Sequence, residues 1–533
     1  MRSGARSVIV GGVLVVVTGG IGYGGYSVWE RVTHTIPSGP LSGPEIEKAS
    51  TEFLNRWAAG DKPADIAELT DNAAEAAPVI AAFREQAHAS HVVIAQGRAT
   101  GATVPFTVKA TVSFDGKSEP WSYRSELTVV RGPLTGRPVV DWQPSVIHPK
   151  LTQDTHLVTG RAKIPSIRAV DRDGTELTRA KYPSLAPILD QLRQRYGVKA
   201  GGTPGIEMSL RHDSPDVPDR PLLTLSQGTP GTVPTTLDAG VQAAAEQAVH
   251  RFEESSVVAV KPSTGEILAV ANNRKDGFNA AMLGKQAPGS TMKIVTAAML
   301  MEKGLAAPEL PAECPETVVY QGRKFHNDGG FAIPSGSLAE AFARSCNTAF
   351  IKLIDDTKDD GALKTEAEQV FGVGRDNWKT GVVSADGSVP AAVGGEAAAQ
   401  YIGQGTVQMN ALNMASISAT VKSGVFRQPV IVPQSLDNRP LAEAGRPLAR
   451  SVAESLRYLM RLTATGGTAA KAMAELGGDK GAKTGSAEVD GQTISNSWFT
   501  GYEDDLAAAA VVQAGGHGAD EAGPVVAAVL EAG

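Results

Sequence analysis

The sequence predicts a multidomain chain: an N-terminal transmembrane helix, a small α+β domain, an extended connector and a large C-terminal α/β domain. Three observations carry this. The chain has 533 residues, more than one ordinary core holds, and its 42% hydrophobic and 20% charged residues are those of folded protein. Residues Ser7 to Tyr26 run without a charge for about twenty positions, enough to cross a bilayer. Downstream, the apolar spacing changes from helical to alternating near Val92 and sharpens again at Thr235.

Arg2 and Arg6 precede the apolar run, which places the N-terminus in the cytoplasm and the rest of the chain outside. No A-x-A cleavage site follows, and the run is longer than a usual signal-peptide core, so an uncleaved single-pass anchor over 1–30 is expected. His34 to Gly43 is a Pro/Gly/Ser-rich linker. In the next segment, 42–150, Ile46, Ala49, Phe53, Leu54 and Trp57 recur at helical spacing, and alternating runs such as PFTVKATVSF and WSYRSELTVV follow. Helices followed by antiparallel strands predict an α+β module, read as a spacer or docking domain. Segment 151–231 contains a turn at Asp171–Gly174, a helical run from Pro187 to Tyr196 and the strand-like TPGIEMSLRH. From 232 to 533 an amphipathic helix (TTLDAGVQAAAEQAVHRF), a hairpin (SSVVAVKPSTGEILAVAN), a helical middle and late strands describe one α/β domain.

Net charge is −7 and no basic block occurs, so nucleic acid is excluded as a partner. Cys314 and Cys346 fit neither a zinc nor a Cys-x-x-Cys pattern. A disulfide and two buried thiols are both compatible with their spacing.

The chemistry points to QAPGSTMKIVTAAMLMEKG, where Pro288 and Gly289 precede a helix. Ser290 stands at its start and Lys293 one turn on, followed by apolar residues up to Met301. A serine hydroxyl needs a base to become a nucleophile, and a lysine serves only when burial or a nearby cation keeps it neutral. Ser290–Lys293 is the only S-x-x-K in the chain, and Ser345-Cys346-Asn347 is the only S-x-N. K-T-G occurs at Lys379 and at Lys483. The second leads into AEV, a turn at Asp490-Gly491 and the runs NSWFTGY and AAAAVVQAG, so it is the expected functional copy.

This ordered set resembles the penicillin-binding protein and serine β-lactamase superfamily. TTLDAGVQAAAEQAV, VVAVKPSTGEILAVAN, YIGQGTVQMNALNMA and ATGGTAAKA resemble its transpeptidase branch, from about Thr235 to Ala532. VVDWQPSVIHPKL resembles the end of the extension domain in methicillin-resistance-type proteins, which implies a nuclear-transport-factor-like cone fold for 42–150. The connector then corresponds to a dimerisation-type region. No glycosyltransferase module precedes the transpeptidase segment, as in class B. Cys346 stands where the best-known β-lactamases have Asp, which argues against that class.

The resemblance implies a D,D-transpeptidase that cross-links peptidoglycan and is acylated by β-lactam antibiotics. Ser290 is the implied nucleophile, Lys293 its base, Ser345 a proton relay and Asn347 a hydrogen-bonding partner of Lys293 and substrate. Lys483, Thr484 and Ser486 would attract the terminal carboxylate, Gly485 would keep the edge strand clear, and the N–H groups of Ser290 and Ser486 would form an oxyanion hole. This chemistry needs no metal or cofactor. Implied partners are stem peptides ending in D-Ala-D-Ala, the membrane and a separate glycosyltransferase. Two alternatives stand beside it: a D,D-carboxypeptidase or β-lactamase-like hydrolase, and a non-catalytic β-lactam-binding scaffold. Phe325 to Asp328 receives no role.

Overall fold

The computed structural model describes residues 39–533 apart from 134, 163, 215, 216, 218 and 490. The predicted anchor lies outside the described residues, as does Asp490 of the predicted turn. Among the described residues no helix is long and apolar enough to cross a membrane.

The first unit begins with the helix Gly43–Ala59, whose Ser42 and Glu45 form a capping box. It buries the helical stripe Ile46, Phe53, Leu54 and Trp57. Helices Pro63–Ala67 and Ala73–Glu85 follow. Together they cover an antiparallel sheet in simple meander order: β1 (Ala89–Gln96), β2 (Thr103–Phe114), β3 (Lys117–Arg131) and β4 (Pro138–Val140). Trp57 anchors this core, edge-on to Phe83 at 5.2 Å and Phe106 at 6.2 Å.

The segment expected to be an extended connector is instead folded and divided between two cores. Strands β5 (Thr155–Arg161), β7 (Ile206–His212) and β8 (Arg220–Ser226) form a sheet in the order β5-β7-β8. Its Leu157, Met208, Leu210 and Leu225 join the core of the first unit. Strand β6 (Ile167–Val170) pairs in parallel with β9 (Gly231–Pro234). The latter pair and the helix Ala186–Tyr196 pack through Ala169, Leu189, Leu192 and Val233 into the core of the C-terminal unit. The predicted turn at Asp171–Gly174 forms, with Asp171 Oδ1 accepting the N–H groups of Asp173 and Thr175.

The C-terminal unit is a layered α/β structure. Asp238 caps the helix Ala239–Val249 by accepting the N–H groups of Gly240 and Val241. Five antiparallel strands follow in chain order: β10 (Ser255–Val260), β11 (Ile267–Asn273), then β14 (Lys480–Ala487), β15 (Asn496–Glu503) and β16 (Leu506–Val512). Between them in sequence stands a separate hairpin, β12 (Thr317–Tyr320) and β13 (Arg323–His326). The sheet order β11-β10-β16-β15-β14 leaves β14 at an edge. Alternation sorts its two faces. Ala508, Ala510 and Val512 face the helices Ala239–Val249 and Ala522–Leu530, whereas Ala507, Ala509 and Val511 join the opposite core, which holds the helix Ala411–Ser423. The run of alanines lets helices approach both faces closely.

Candidate active site

Ser290 sits on a 3₁₀ turn, Gly289–Met292, which passes directly into the helix Lys293–Glu302. The tight turn eclipses positions i and i+3, stacking Lys293 over Ser290. Lys293 Nζ lies 2.8 Å from Ser290 Oγ. Every residue from Lys293 to Met301 is buried, as the apolar run implied.

Ser345 occupies the junction between the helices Leu338–Ala343 and Asn347–Lys352. Its φ of +60° is left-handed, which costs a serine roughly 1 kcal/mol. The neighbouring backbone holds it there: Ser345 N–H donates to Phe342 O and Cys346 N–H to Ala341 O. This conformation lets the Ser345 carbonyl accept from Lys293 Nζ at 2.8 Å while its Oγ lies 3.4 Å from the same nitrogen. Asn347 Oδ1 accepts from Lys293 Nζ at 2.6 Å.

Lys483 enters from the edge strand β14. Its Nζ donates to Ser345 Oγ at 2.9 Å and to Thr484 O at 3.0 Å. Ser345 Oγ therefore lies between two lysine nitrogens. Both lysines are fully buried, and among the described residues neither forms an ion pair. Burial pushes the Lys293 ammonium well below its ordinary value; the charge of Lys483 pushes the same way, and Asp328 opposes them. Burial also brings Lys483 down to about 7.

Thr484 and Ser486 line the cleft on the same strand, and Thr484 Oγ1 shares a 2.6 Å hydrogen bond with Thr468. The need for glycine at 485 differs in direction from the expectation. A Cβ there would meet Pro288 O at 2.9 Å and Thr291 N at 3.0 Å, so glycine lets the edge strand close on the turn that carries Ser290. Gly289 (φ +56°) closes the same seam, since a Cβ would come within 2.5 Å of Ser486 O. The resulting cleft of about 730 Å³ is lined by Ser290, Ser345, Asn347, Thr484 and Ser486. Asp328 and His517 meet at its rim, Oδ2 of the one 3.1 Å from Nδ1 of the other.

All eight predicted site residues thus converge. The other K-T-G does not: Thr380 and Gly381 turn into the protein, Arg439 Nε holds Lys379 O at 2.7 Å, and Lys379 itself is exposed. Cys346 faces away from the cleft and is joined to Cys314 by a disulfide, with Cα atoms 6.3 Å apart. Sequence reasoning missed Asn327, Asp328 and Thr468. KFHND reads as an ordinary polar turn, so no local signal marks the first two; Thr468 lay within a segment noted only for its resemblance.

Residues 255–531, just over half of the chain, match the penicillin binding protein transpeptidase domain. Residues 45–155 match the NTF2-like N-terminal transpeptidase domain. Peptidoglycan D,D-transpeptidase PbpA of Mycolicibacterium smegmatis is 30% identical over 352 residues, which span 56% of this chain and 71% of that protein. PbpA of Mycobacterium tuberculosis is 30% identical over 240 residues, 38% of this chain and 48% of the relative. In fold, the chain is similar to a D,D-transpeptidase domain from Eggerthella lenta (TM-score 0.54, 21% identity, covering 70% of this chain and 98% of that one). A chain of a peptidoglycan synthase complex that coordinates polymerization and crosslinking is similar to the same degree (TM-score 0.54, 21% identity, 71% and 92% covered). Penicillin-binding protein A of M. tuberculosis in its imipenem acyl-enzyme complex is also similar (TM-score 0.50, 23% identity, 76% and 95% covered). With both folded units matched, this chain belongs to the penicillin-binding protein transpeptidase family, carries an NTF2-like N-terminal domain, and is a penicillin-binding D,D-transpeptidase of peptidoglycan.

Proposed function

We propose that Ser290 is the acylated nucleophile and that Lys293, Ser345, Asn347 and Lys483 serve it as base, relay, orienting group and carboxylate anchor. One observation carries this reading: a fully buried lysine that forms no ion pair among the described residues, held 2.8 Å from a serine Oγ and 2.6 Å from an asparagine oxygen. Burial and the Lys483 charge favour the neutral amine that a base requires.

The stem peptide lies along β14 as an added strand, with its terminal carboxylate toward Lys483, Thr484 and Ser486. Ser290 Oγ bonds to the carbonyl carbon of the penultimate D-Ala as its proton passes to Lys293 Nζ. The N–H groups of Ser290 and Ser486 receive the oxyanion, about 3 kcal/mol for each donor. The C–N bond then breaks, and the departing amine of D-Ala takes a proton through Ser345 Oγ. An acceptor amine from a second stem peptide attacks the ester and releases Ser290, completing the cross-link. A β-lactam follows the first half only, because its amine stays tethered in the adduct.

The enzyme acts on the cell wall, outside the cytoplasm. Within that frame the 1–30 segment is a single-pass anchor and 42–150 a spacer that sets the height of 232–533 above the membrane. The 151–231 segment, which shares both cores, holds the two units together and is the dimerisation-type region. A separate glycosyltransferase supplies the glycan strands, by analogy with the synthase complex.

Labelling of the full chain with fluorescent penicillin tests these roles. A persistent adduct is expected for the wild type, none for Ser290→Ala, and at least about a hundredfold slower formation for Lys293→Ala. Fast turnover of penicillin would favour the hydrolase, and absence of any adduct the scaffold.

A further inference from the structure

The helix Asn347–Lys352 starts within the site, and its first N–H groups need partners from outside the helix. Its N-cap residue is Cys346, whose sulfur is committed to the disulfide and accepts one backbone N–H, that of Ala349 at 3.3 Å, beside the Thr348 hydroxyl at 3.3 Å. The oxygen cap comes from elsewhere. Asn327 Oδ1 accepts from Asn347 N–H at 2.8 Å and from Thr348 N–H at 3.2 Å. At the other end of this carboxamide, Nδ2 donates to Phe331 O at 2.8 Å and Pro315 O at 2.9 Å. Two donors on one side and two carbonyls on the other fix its orientation, since a flip would oppose like groups at these four contacts. The Asn327 side chain is fully buried.

The neighbouring residue completes the arrangement. His326 O accepts from Asn347 Nδ2 at 2.8 Å, which turns Asn347 Oδ1 toward Lys293. The backbone of Asn347 is therefore set by Asn327, its side chain by His326, and its oxygen then meets the lysine Nζ.

We infer that Asn327 is a positioning residue for acylation: it caps the Asn347–Lys352 helix from outside and so places Asn347 against Lys293. The inference rests on the roles proposed above for Ser290, Lys293 and Asn347. Removing the carboxamide strands two N–H groups and the Phe331 carbonyl, leaves Pro315 O only its bond from Thr348 Oγ1 at 2.6 Å, and lets Asn347 drift from Lys293. A misplacement of about 1 Å at such a site costs about a hundredfold in rate. Penicillin affinity before acylation depends chiefly on the edge strand and should change little.

The test is stopped-flow acylation of the full chain, separating the rate constant k2 from the noncovalent constant K. Asn327→Ala is expected to lower k2 by about 30- to 100-fold, with K within about threefold of wild type and with the final adduct still one per folded molecule. A merely structural role would instead lower the final adduct at unchanged k2, or move K and k2 together; either result overturns the inference. If Asn327→Ala does not fold, Asn327→Ser replaces it, because its short hydroxyl cannot span the same partners. A folded Ser variant with wild-type k2 would equally overturn it. Ser290→Ala in the same series keeps the two readings apart: an adduct in that variant refutes the nucleophile assignment, whereas wild-type k2 in the Asn327 variant refutes only the positioning role.

Discussion

Replacing Lys483 with Met should make the protein more stable and far less active, with a stability gain that depends on pH. In the unfolded chain a lysine holds its proton up to about 10.5, whereas burial lowers this one to about 7 in the folded protein. The unfolded state therefore binds more protons between those values, and wild-type stability rises with pH across that window. Each tenfold difference in proton affinity is about 1.4 kcal/mol, so near pH 7 the buried amine disfavours folding by roughly 4 kcal/mol. Methionine fills the volume without that cost but forfeits the hydrogen bonds to Ser345 Oγ and Thr484 O, about 1 kcal/mol each. The net gain is about 2 kcal/mol at pH 7, slightly more below it, and it vanishes near pH 9. Urea unfolding of wild type and Lys483→Met between pH 6 and 9 measures it. Cleavage of a D-Ala-D-Ala donor should fall at least about a hundredfold, because the carboxylate loses its cation. A variant less stable than wild type at pH 7, or a stability difference that does not change with pH, refutes the reasoning.

The pH profile of acylation makes a linked prediction. The rate should rise with pH as Lys293 loses its proton, and this acid limb should move to higher pH in Lys483→Met, because the cation that pushes Lys293 down is gone. An unmoved limb, or one moved to lower pH, would count against Lys293 as the base. Gly289→Ala addresses the seam between the serine turn and the edge strand. Its Cβ would stand 2.5 Å from Ser486 O, about 0.9 Å inside an ordinary contact, so acylation should slow by about a hundredfold. Gly304→Ala is the control: φ is +70° with nothing within 4 Å of the new atom, so it should cost about 1 kcal/mol of stability and leave the acylation rate unchanged.

Local pattern carried a large part of this structure. The stripe Ile46, Phe53, Leu54 and Trp57 specifies the first helix, and the alternating runs from Val92 specify the meander that it covers. Ser290 and Lys293 needed no tertiary information to meet, because residues one turn apart share a face in any helical turn. The K-T-G that lies at the cleft was legible from its flanks: an edge strand must be followed by partners, and NSWFTGY and AAAAVVQAG supply them.

What the sequence could not decide were distances between segments far apart in the chain. Whether Cys314 and Cys346 bond depends on bringing their Cα atoms to 6.3 Å across 32 residues, and only the folded hairpin between them sets that distance. The 151–231 segment reads as an irregular connector because its apolar residues serve two cores, so no single period runs through it. Asn327 is a polar residue in a polar turn until the fold places it over the start of a helix 20 residues onward. The sequence determined which side chains carry reactive groups; tertiary packing decided how two buried lysines, placed about one serine hydroxyl, acquire their lowered proton affinity.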